Sequence, residues 1–400
     1  MPISDTGDPG RKTALIYDRL DGYAGGERVL EQQIILNPQA DVFASIDILQ
    51  PHERGFLRGK IPTTTFAQRL PLVRHHHRQF LLLLMFAMEQ LDLSEYELVL
   101  SGSASIAKGV LTGPDQLHIA YIHSPMRYAW DLQHQYLKEA NLDKGLKSLI
   151  ARWMMYRARL WDSRTANGVD YYIANSRFIA RRIWKIYRRE STVIYPPVAV
   201  DTFRMRSNKD DFYLSASRLM PYKKVRIIVE AFRKLPDRKL VVVGDGTEMK
   251  GVKAVAGPNV EILGFQPQDV LVDLMQRARA FIFAAEEDFG ITPVEAQACG
   301  TPVIAFGRGG VLETIRGIEQ PRPTGLFFDR QEPDAIAEAV RTFERSAMRI
   351  SPSDCRENAT RFSEQAFRDT YSRFVARCWD EHRGISPQQR AGIRIGSALG

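Results

Sequence analysis

The chain of 400 residues has only three cysteines, Cys299, Cys355 and Cys378. An odd number of widely spaced thiols makes neither a disulfide framework nor a zinc-ligand pattern, and it fits a reducing compartment. Long apolar runs are also missing. The run Phe80-Leu-Leu-Leu-Leu-Met-Phe-Ala-Met88 is well short of the roughly 20 residues that a membrane-spanning helix needs. The polar start Met1-Pro-Ile-Ser-Asp-Thr-Gly-Asp-Pro-Gly10 lacks the apolar centre of a signal peptide. The expected location is therefore the cytoplasm or the cytoplasmic face of the inner membrane. No convincing internal repeat is present, and the three-glycine dinucleotide fingerprint is absent. Arg74-His-His-His-Arg78 is a poor metal site, because adjacent residues on a helix point in different directions. No metal is expected.

What is present is the composition of a soluble globular protein, 44% hydrophobic and 26% charged. The length is too great for one ordinary core and suits two α/β domains. Apolar and β-branched runs predict strands over 13–18, 98–101, 119–123 and 171–175 in a first Rossmann-like half. In a second half they predict strands over 212–216, 240–244, 260–263, 280–284 and 302–306. Helical periodicity separates these runs, as a parallel sheet requires. Pro196 and Pro197 interrupt helix and mark the boundary. The expected division is 1–200, a first Rossmann-like domain; 201–362, a second Rossmann-like domain; an amphipathic helix over 363–382; and a flexible tail over 383–400.

The most informative stretch is Glu287-Asp-Phe-Gly-Ile-Thr-Pro-Val-Glu295. It follows the apolar run 281–285, so it reads as a turn from a buried strand into a helix, with Thr292 as N-cap, Pro293 first and Glu295 third. Backbone N–H groups around Phe289, Gly290 and Ile291 would then face outward at the positive end of the helix dipole, where a diphosphate is stabilised. Thr292 and Glu295 also fit a simple capping box. Glu287 sits where open α/β sheets place ligands, at the carboxyl end of a strand, although a solvated loop acid is the plainer reading. The segment Arg218-Leu-Met-Pro-Tyr-Lys223-Lys224 ends another strand with cations. Arg218 and Lys223 could clamp one diphosphate and stabilise its departure, whereas Lys224 reads as a solvated lysine. His123 ends a third strand, in His123-Ser-Pro-Met-Arg127-Tyr-Ala-Trp130-Asp131, and Gly25-Gly26 opens a helix near the start. Each also has an ordinary structural reading, as an internally bonded histidine and a glycine turn.

At these residues the sequence resembles glycosyltransferase family 4, the retaining family with the GT-B fold, in which two Rossmann-like domains face one another across a cleft. Its signature, a glutamate, seven residues and a second glutamate, is filled by Glu287 and Glu295. The resemblance implies that Glu287 contacts hydroxyls of the transferred sugar, the backbone from Phe289 to Thr292 contacts sugar and phosphate, and Glu295 holds the ribose. It further gives Arg218 and Lys223 the diphosphate, His123 the sugar near its anomeric carbon, and Gly25 and Gly26 a place beside the diphosphate. Gly309, Gly310 and Glu313 match a family loop near the site or form a simple turn with a first-turn acid. Front-face departure and attack without a protein nucleophile, cofactor or metal are implied. The wording from His123 to Asp131 resembles a narrower group of bacterial mannosyltransferases. That likeness implies a GDP-mannose donor and a polyprenyl-diphosphate-linked oligosaccharide acceptor in exopolysaccharide or O-antigen synthesis. Open alternatives are a UDP-sugar donor, or an epimerase or hydrolase of sugar nucleotides on the same architecture.

The net charge of +8 is concentrated, with twelve Lys and Arg against two Asp over 144–189. There, cations alternate with large apolar residues, as in helices that lie on membranes. Arg127, Arg152 and Trp153 are the candidates for the acceptor or membrane side, and an anionic membrane surface is an expected partner. The plainer reading is a core helix with snorkelling cations. A nucleic-acid-binding protein is the reading from another class, and no nucleic acid is expected.

Overall fold

Short apolar runs separated by helices build two parallel sheets, each in its own compact unit. The computed structural model describes residues 11–384, without the side chains of His75, His77 and Arg78. The polar start and the tail beyond 384 thus lie outside the described residues, as do the side chains of two of the three histidines in the run. The first unit comprises the described residues up to Asn175, Ile179–Ile194 and the residues from Arg368 onward; the second comprises Ser176–Phe178 and Tyr195–Phe367.

The first unit carries β1 (Thr13–Tyr17), β2 (Asp41–Ala44), β3 (Thr63–Thr64), β4 (Leu98–Ser103), β5 (Leu117–Ile122), β6 (Tyr171–Ala174) and β7 (Thr192–Val193). They pair in the order β3-β2-β1-β4-β5-β6-β7, all parallel. Every residue of β1, β4 and β5 is buried, which is why these runs read as nearly continuous apolar segments. The order reverses between β1 and β4, so the ligand-binding crevice of such a sheet lies at their carboxyl ends.

The second unit repeats the plan with β8 (Phe212–Ala216), β9 (Lys239–Val243), β10 (Val260–Gly264), β11 (Ala280–Phe283), β12 (Val303–Phe306) and β13 (Gly325–Phe328). The order β10-β9-β8-β11-β12-β13 reverses between β8 and β11. Side chains alternate between two cores, as a pleated strand dictates. Phe212, Leu214, Phe281 and Phe283 enter one, and Tyr213, Ala280 and Ile282 enter the other.

All nine strands expected from the sequence are present, with ends shifted by no more than a few residues, while β2, β3, β7 and β13 are additional. The helix Glu364–Gly384 carries the chain back into the first unit from Arg368. There the Gln33 amide donates to the Tyr371 hydroxyl at 2.8 Å and Tyr171 donates to Glu381 at 2.9 Å. Among the described residues no helix is long and apolar enough to cross a membrane.

Candidate active site

Beyond β8 the chain turns through Ser217 and Arg218 into a short turn at Pro221–Lys223. The neighbouring loop after β9 supports this exit from below: Leu219 N–H donates to the Asp245 carbonyl at 2.8 Å, and Glu248 N–H donates to the Leu219 carbonyl at 2.9 Å. Gly244 permits the approach. It has φ +131°, and a Cβ there would lie 1.8 Å from the Ser217 carbonyl oxygen.

Beyond β11, Ala284 and Ala285 stay buried, Glu286 is exposed and Glu287 is half-buried. The Glu287 backbone forms a single parallel bridge with Gly309, and Gly310 N–H donates to its carbonyl at 2.8 Å. A Cβ on Gly309 would lie 2.4 Å from the Glu287 carbonyl oxygen, and one on Gly310 equally close to that of Asp288. Gly309-Gly310 is therefore more than a turn: it fixes the backbone that presents Glu287. From the other side of the sheet reversal, the Lys223 ammonium forms an ion pair with the Glu287 carboxylate, the two side chains being 15% and 21% exposed. Two residues 64 positions apart thus meet at the switch point. Arg218 is exposed close by in sequence, and Lys224 is half-buried in a left-handed conformation, φ +58°.

The helix after Glu287 corrects one expectation. It runs Ile291–Ala298 with Gly290 as N-cap at φ +87°, and no side chain caps it. Thr292 is therefore its second residue, and Glu295 lies in its second turn, buried at 6% exposure. The capping box cannot form, because the left-handed turn at Gly290 starts the helix two residues early. The N–H groups of Ile291 and Thr292 lie in the first turn, where none has an intrahelical acceptor. They supply the positive end of the dipole beside the Lys223 and Glu287 pair. Phe289 instead faces the core, its ring 5.8 Å from Tyr195 and 5.4 Å from Phe362.

Glu313 differs from a plain first-turn acid. Its carboxylate accepts from Arg177 N–H at 2.8 Å, Phe178 N–H at 3.0 Å and the Tyr195 hydroxyl at 3.1 Å.

In the first unit, His123 follows β5. Its N–H donates to the Ser103 carbonyl at 2.8 Å, and its carbonyl accepts from the Asn175 amide at 2.8 Å. Its Nε2 is buried without a hydrogen-bond partner among the described residues, and burial lowers its pKa to about 4. The imidazole is thus neutral at physiological pH. Gly26 belongs to the same cluster: a Cβ on it would lie 2.1 Å from the Tyr17 hydroxyl and 3.6 Å from His123 Nε2. Gly25 and Gly26 open the helix Gly25–Leu36, whose buried Glu27 accepts from Ala24 N–H at 3.0 Å and from Tyr17 at 3.1 Å.

Two further features escaped the sequence reading. Asp18, at the carboxyl end of β1, accepts from the backbone N–H groups of Ala104, Ile106 and Ala107 at 2.6–2.7 Å, tying β1 to the loop after β4 across the reversal. Its position just past a buried strand was the available signal. Lys108 and Asp162 form a buried ion pair at 2.9 Å, for which the sequence carried no signal. Among the acceptor-side candidates, Arg127 is half-buried, Arg152 donates to Ser148 at 3.2 Å, and Trp153 is 56% exposed. Among the described residues no group of three or more His, Cys, Asp or Glu is placed to hold a metal ion.

The family model described as "Glycosyl transferases group 1" matches residues 202–362, which lie in the second unit. In sequence the chain is similar to the D-inositol 3-phosphate glycosyltransferase of Mycobacterium avium strain 104, 27% identical over 254 residues, 56% of this chain and 59% of the relative. It is also similar to that of Mycobacterium bovis strain BCG Pasteur 1173P2, 28% identical over 206 residues, 45% of this chain and 42% of the relative. The chain thus covers less than two thirds of the length of these curated relatives. In structure it is similar to HepE of Anabaena in complex with UDP, with TM-score 0.64 and 18% identity over 91% of this chain and 99% of the other. A sucrose-phosphate synthase from Thermosynechococcus elongatus gives TM-score 0.70 and 15% identity over 93% and 100%. At these identities the structural likeness is one of fold: an α/β chain of two Rossmann-like domains, the GT-B class. The second unit matches the glycosyl transferases of group 1, with the Glu287 turn and the Arg218 loop inside the matched residues.

Proposed function

We propose that this chain is a retaining glycosyltransferase that moves a sugar from a nucleotide donor to an acceptor hydroxyl. The observation that carries the reading is the Lys223 and Glu287 pair beside the open first turn of Ile291–Ala298, at the reversal of the second sheet. Cations and aligned N–H groups held there favour a departing diphosphate more as its charge develops than before. Glu287, fixed through its backbone by Gly309 and Gly310, is the group to accept from sugar hydroxyls. For His123, a neutral imidazole whose Nε2 lacks a partner is suited to a ligand hydroxyl rather than to charge.

In its sharpest form the donor is GDP-mannose and the acceptor a polyprenyl-diphosphate-linked oligosaccharide of bacterial exopolysaccharide or O-antigen, used at the membrane surface. This rests on the wording from His123 to Asp131. A UDP-sugar is the second reading, favoured by the structural likeness to HepE, whose solved complexes contain UDP and UDP-glucose.

The test is thermal stabilisation by GDP, GDP-mannose, UDP and UDP-glucose. At about 100-fold above Kd, a ligand of the native state adds about 2.7 kcal/mol. A selective rise with the guanine pair supports the first donor and a rise with the uracil pair the second. No rise with any sugar nucleotide at millimolar concentration would remove the reading.

A further inference from the structure

The helix Gly145–Thr165 presents two unlike faces. Ser148, Ala158, Asp162 and Thr165 are buried. On the opposite side Leu146, Leu149, Trp153, Tyr156 and Leu160, joined by Ile150, are between 48% and 73% exposed. Their steps of three and four residues keep them on one stripe of an α-helix. Exposed cations border or interrupt that stripe, Lys147 and Arg157, whereas Arg164 is tied to Glu89. Asp162 is the one acidic residue of the helix, and it is buried against Lys108. Water is a poor solvent for such a contiguous apolar ridge, which marks an interaction site.

We infer that this stripe docks flat on an anionic lipid surface, with Leu149 and Trp153 immersed at the headgroup boundary and the cations against lipid phosphates. Charge chooses the occupant. A second copy packed on the same stripe would bring Lys147 and Arg157 against like charges, whereas anionic headgroups complement them. The aromatic pair Trp153 and Tyr156 suits the interface, each ring offering an apolar body with a polar tip. Too short in apolar length to span a bilayer, the helix would lie on it. The inference deepens the lipid-linked acceptor reading by naming the surface that would meet such an acceptor's membrane, but its physical basis is independent of the donor.

The experiment is co-sedimentation of the full chain with phosphatidylcholine vesicles with and without 30% phosphatidylglycerol, at about 0.1 M salt where charges act over about 10 Å. Binding to the anionic vesicles is expected, with loss in Leu149→Glu/Trp153→Glu and a roughly fivefold weakening for each cation removed in Lys147→Gln and Arg157→Gln. Because all four side chains are exposed, circular dichroism and melting temperature should stay unchanged. The same variants should keep the wild-type response to the sugar nucleotides, so failure of docking and failure of the enzymatic reading are distinguishable. Absence of wild-type binding, or equal binding by wild type and the double glutamate variant, would overturn the proposal. So would concentration-dependent dimerisation in light scattering that the double variant abolishes, since it would assign the stripe to a second copy.

Discussion

Lys223 and Glu287 join the two strand exits that flank the reversal of the second sheet, one following β8 and the other β11. Neither residue is held by its own element alone. Lys223 closes a short turn braced by the Gly244–Gly246 loop, and Glu287 hangs from a backbone gripped by Gly309 and Gly310. The pair therefore places a cation and an anion together at the ligand end of the sheet, with the first turn of Ile291–Ala298 beside them.

For this pair, Glu287→Gln and Lys223→Ala should each lower turnover by about 100-fold or more, as loss of a fixed transition-state contact does. A partly exposed ion pair contributes only about 1 kcal/mol to folding, so the melting temperature should move by no more than a few degrees. The swap Lys223→Glu/Glu287→Lys separates a catalytic role from a structural one. It restores the attraction but inverts the charge offered to the diphosphate, so stability should return and turnover should not. Recovery of turnover in the swap would reduce the pair to a strap between loops.

The strands that the sequence disclosed are those with enough buried length to show a run. Phe212–Ala216 is found with both ends, because Asp210 and Asp211 precede it and a polar serine follows. By contrast β3 and β7 have two residues each, too few for any periodicity, and β13 starts on glycine. Glu287, Arg218 and Lys223 stood out in the sequence as candidates because strand exits carry ligands in such sheets. That Lys223 and Glu287 touch was not, since contact across 64 positions is a property of the folded sheet. Thr292 illustrates a local signal overruled: threonine, proline and glutamate spelled a cap, but Gly290 at φ +87° began the helix earlier. Glu313 looked like an ordinary helix acid because its three donors come from residues 118 to 136 positions away.

Buried imidazoles make the acid side of the stability profile specific. Burial lowers the pKa of both His118 and His123 to about 4, against about 6.5 in the unfolded chain. Between these values the unfolded state binds a proton that the native state refuses. Stability is therefore full above about pH 6.5 and falls as pH drops toward 4, by about 1.4 kcal/mol per pH unit for each histidine. Asp18 and Glu27, whose pKa values burial raises, act in the opposite sense, so the total slope is smaller. The difference between wild type and His123→Asn isolates one histidine. Urea unfolding from pH 4.5 to 6.5 should show the variant losing less stability on acidification, and parallel profiles would refute a neutral buried His123.

The Lys108 and Asp162 pair sets the underside of the helix Gly145–Thr165. The Lys108 ammonium, 1% exposed, meets the Asp162 carboxylate at 2.9 Å and donates to the Asp162 carbonyl and Thr165 hydroxyl, both at 2.9 Å. Asp162 also accepts from Trp130 Nε1 at 2.7 Å and the Tyr187 hydroxyl at 3.0 Å. Such a network holds one helix to three other segments, and its cost appears when one charge is left alone. Lys108→Met should destabilise the chain by about 3–5 kcal/mol, because a buried carboxylate keeps its desolvation penalty without its cation. Adding Asp162→Asn removes that charge while retaining an acceptor for Trp130 or Tyr187. The double variant should then be more stable than Lys108→Met by about 1–3 kcal/mol, a coupling typical of residues in one network. Urea denaturation measures both, and hydrogen exchange should place the loosened amides in Gly145–Thr165. Strict additivity would mean that the two charges do not depend on each other, and the helix would have to be held by its apolar contacts alone.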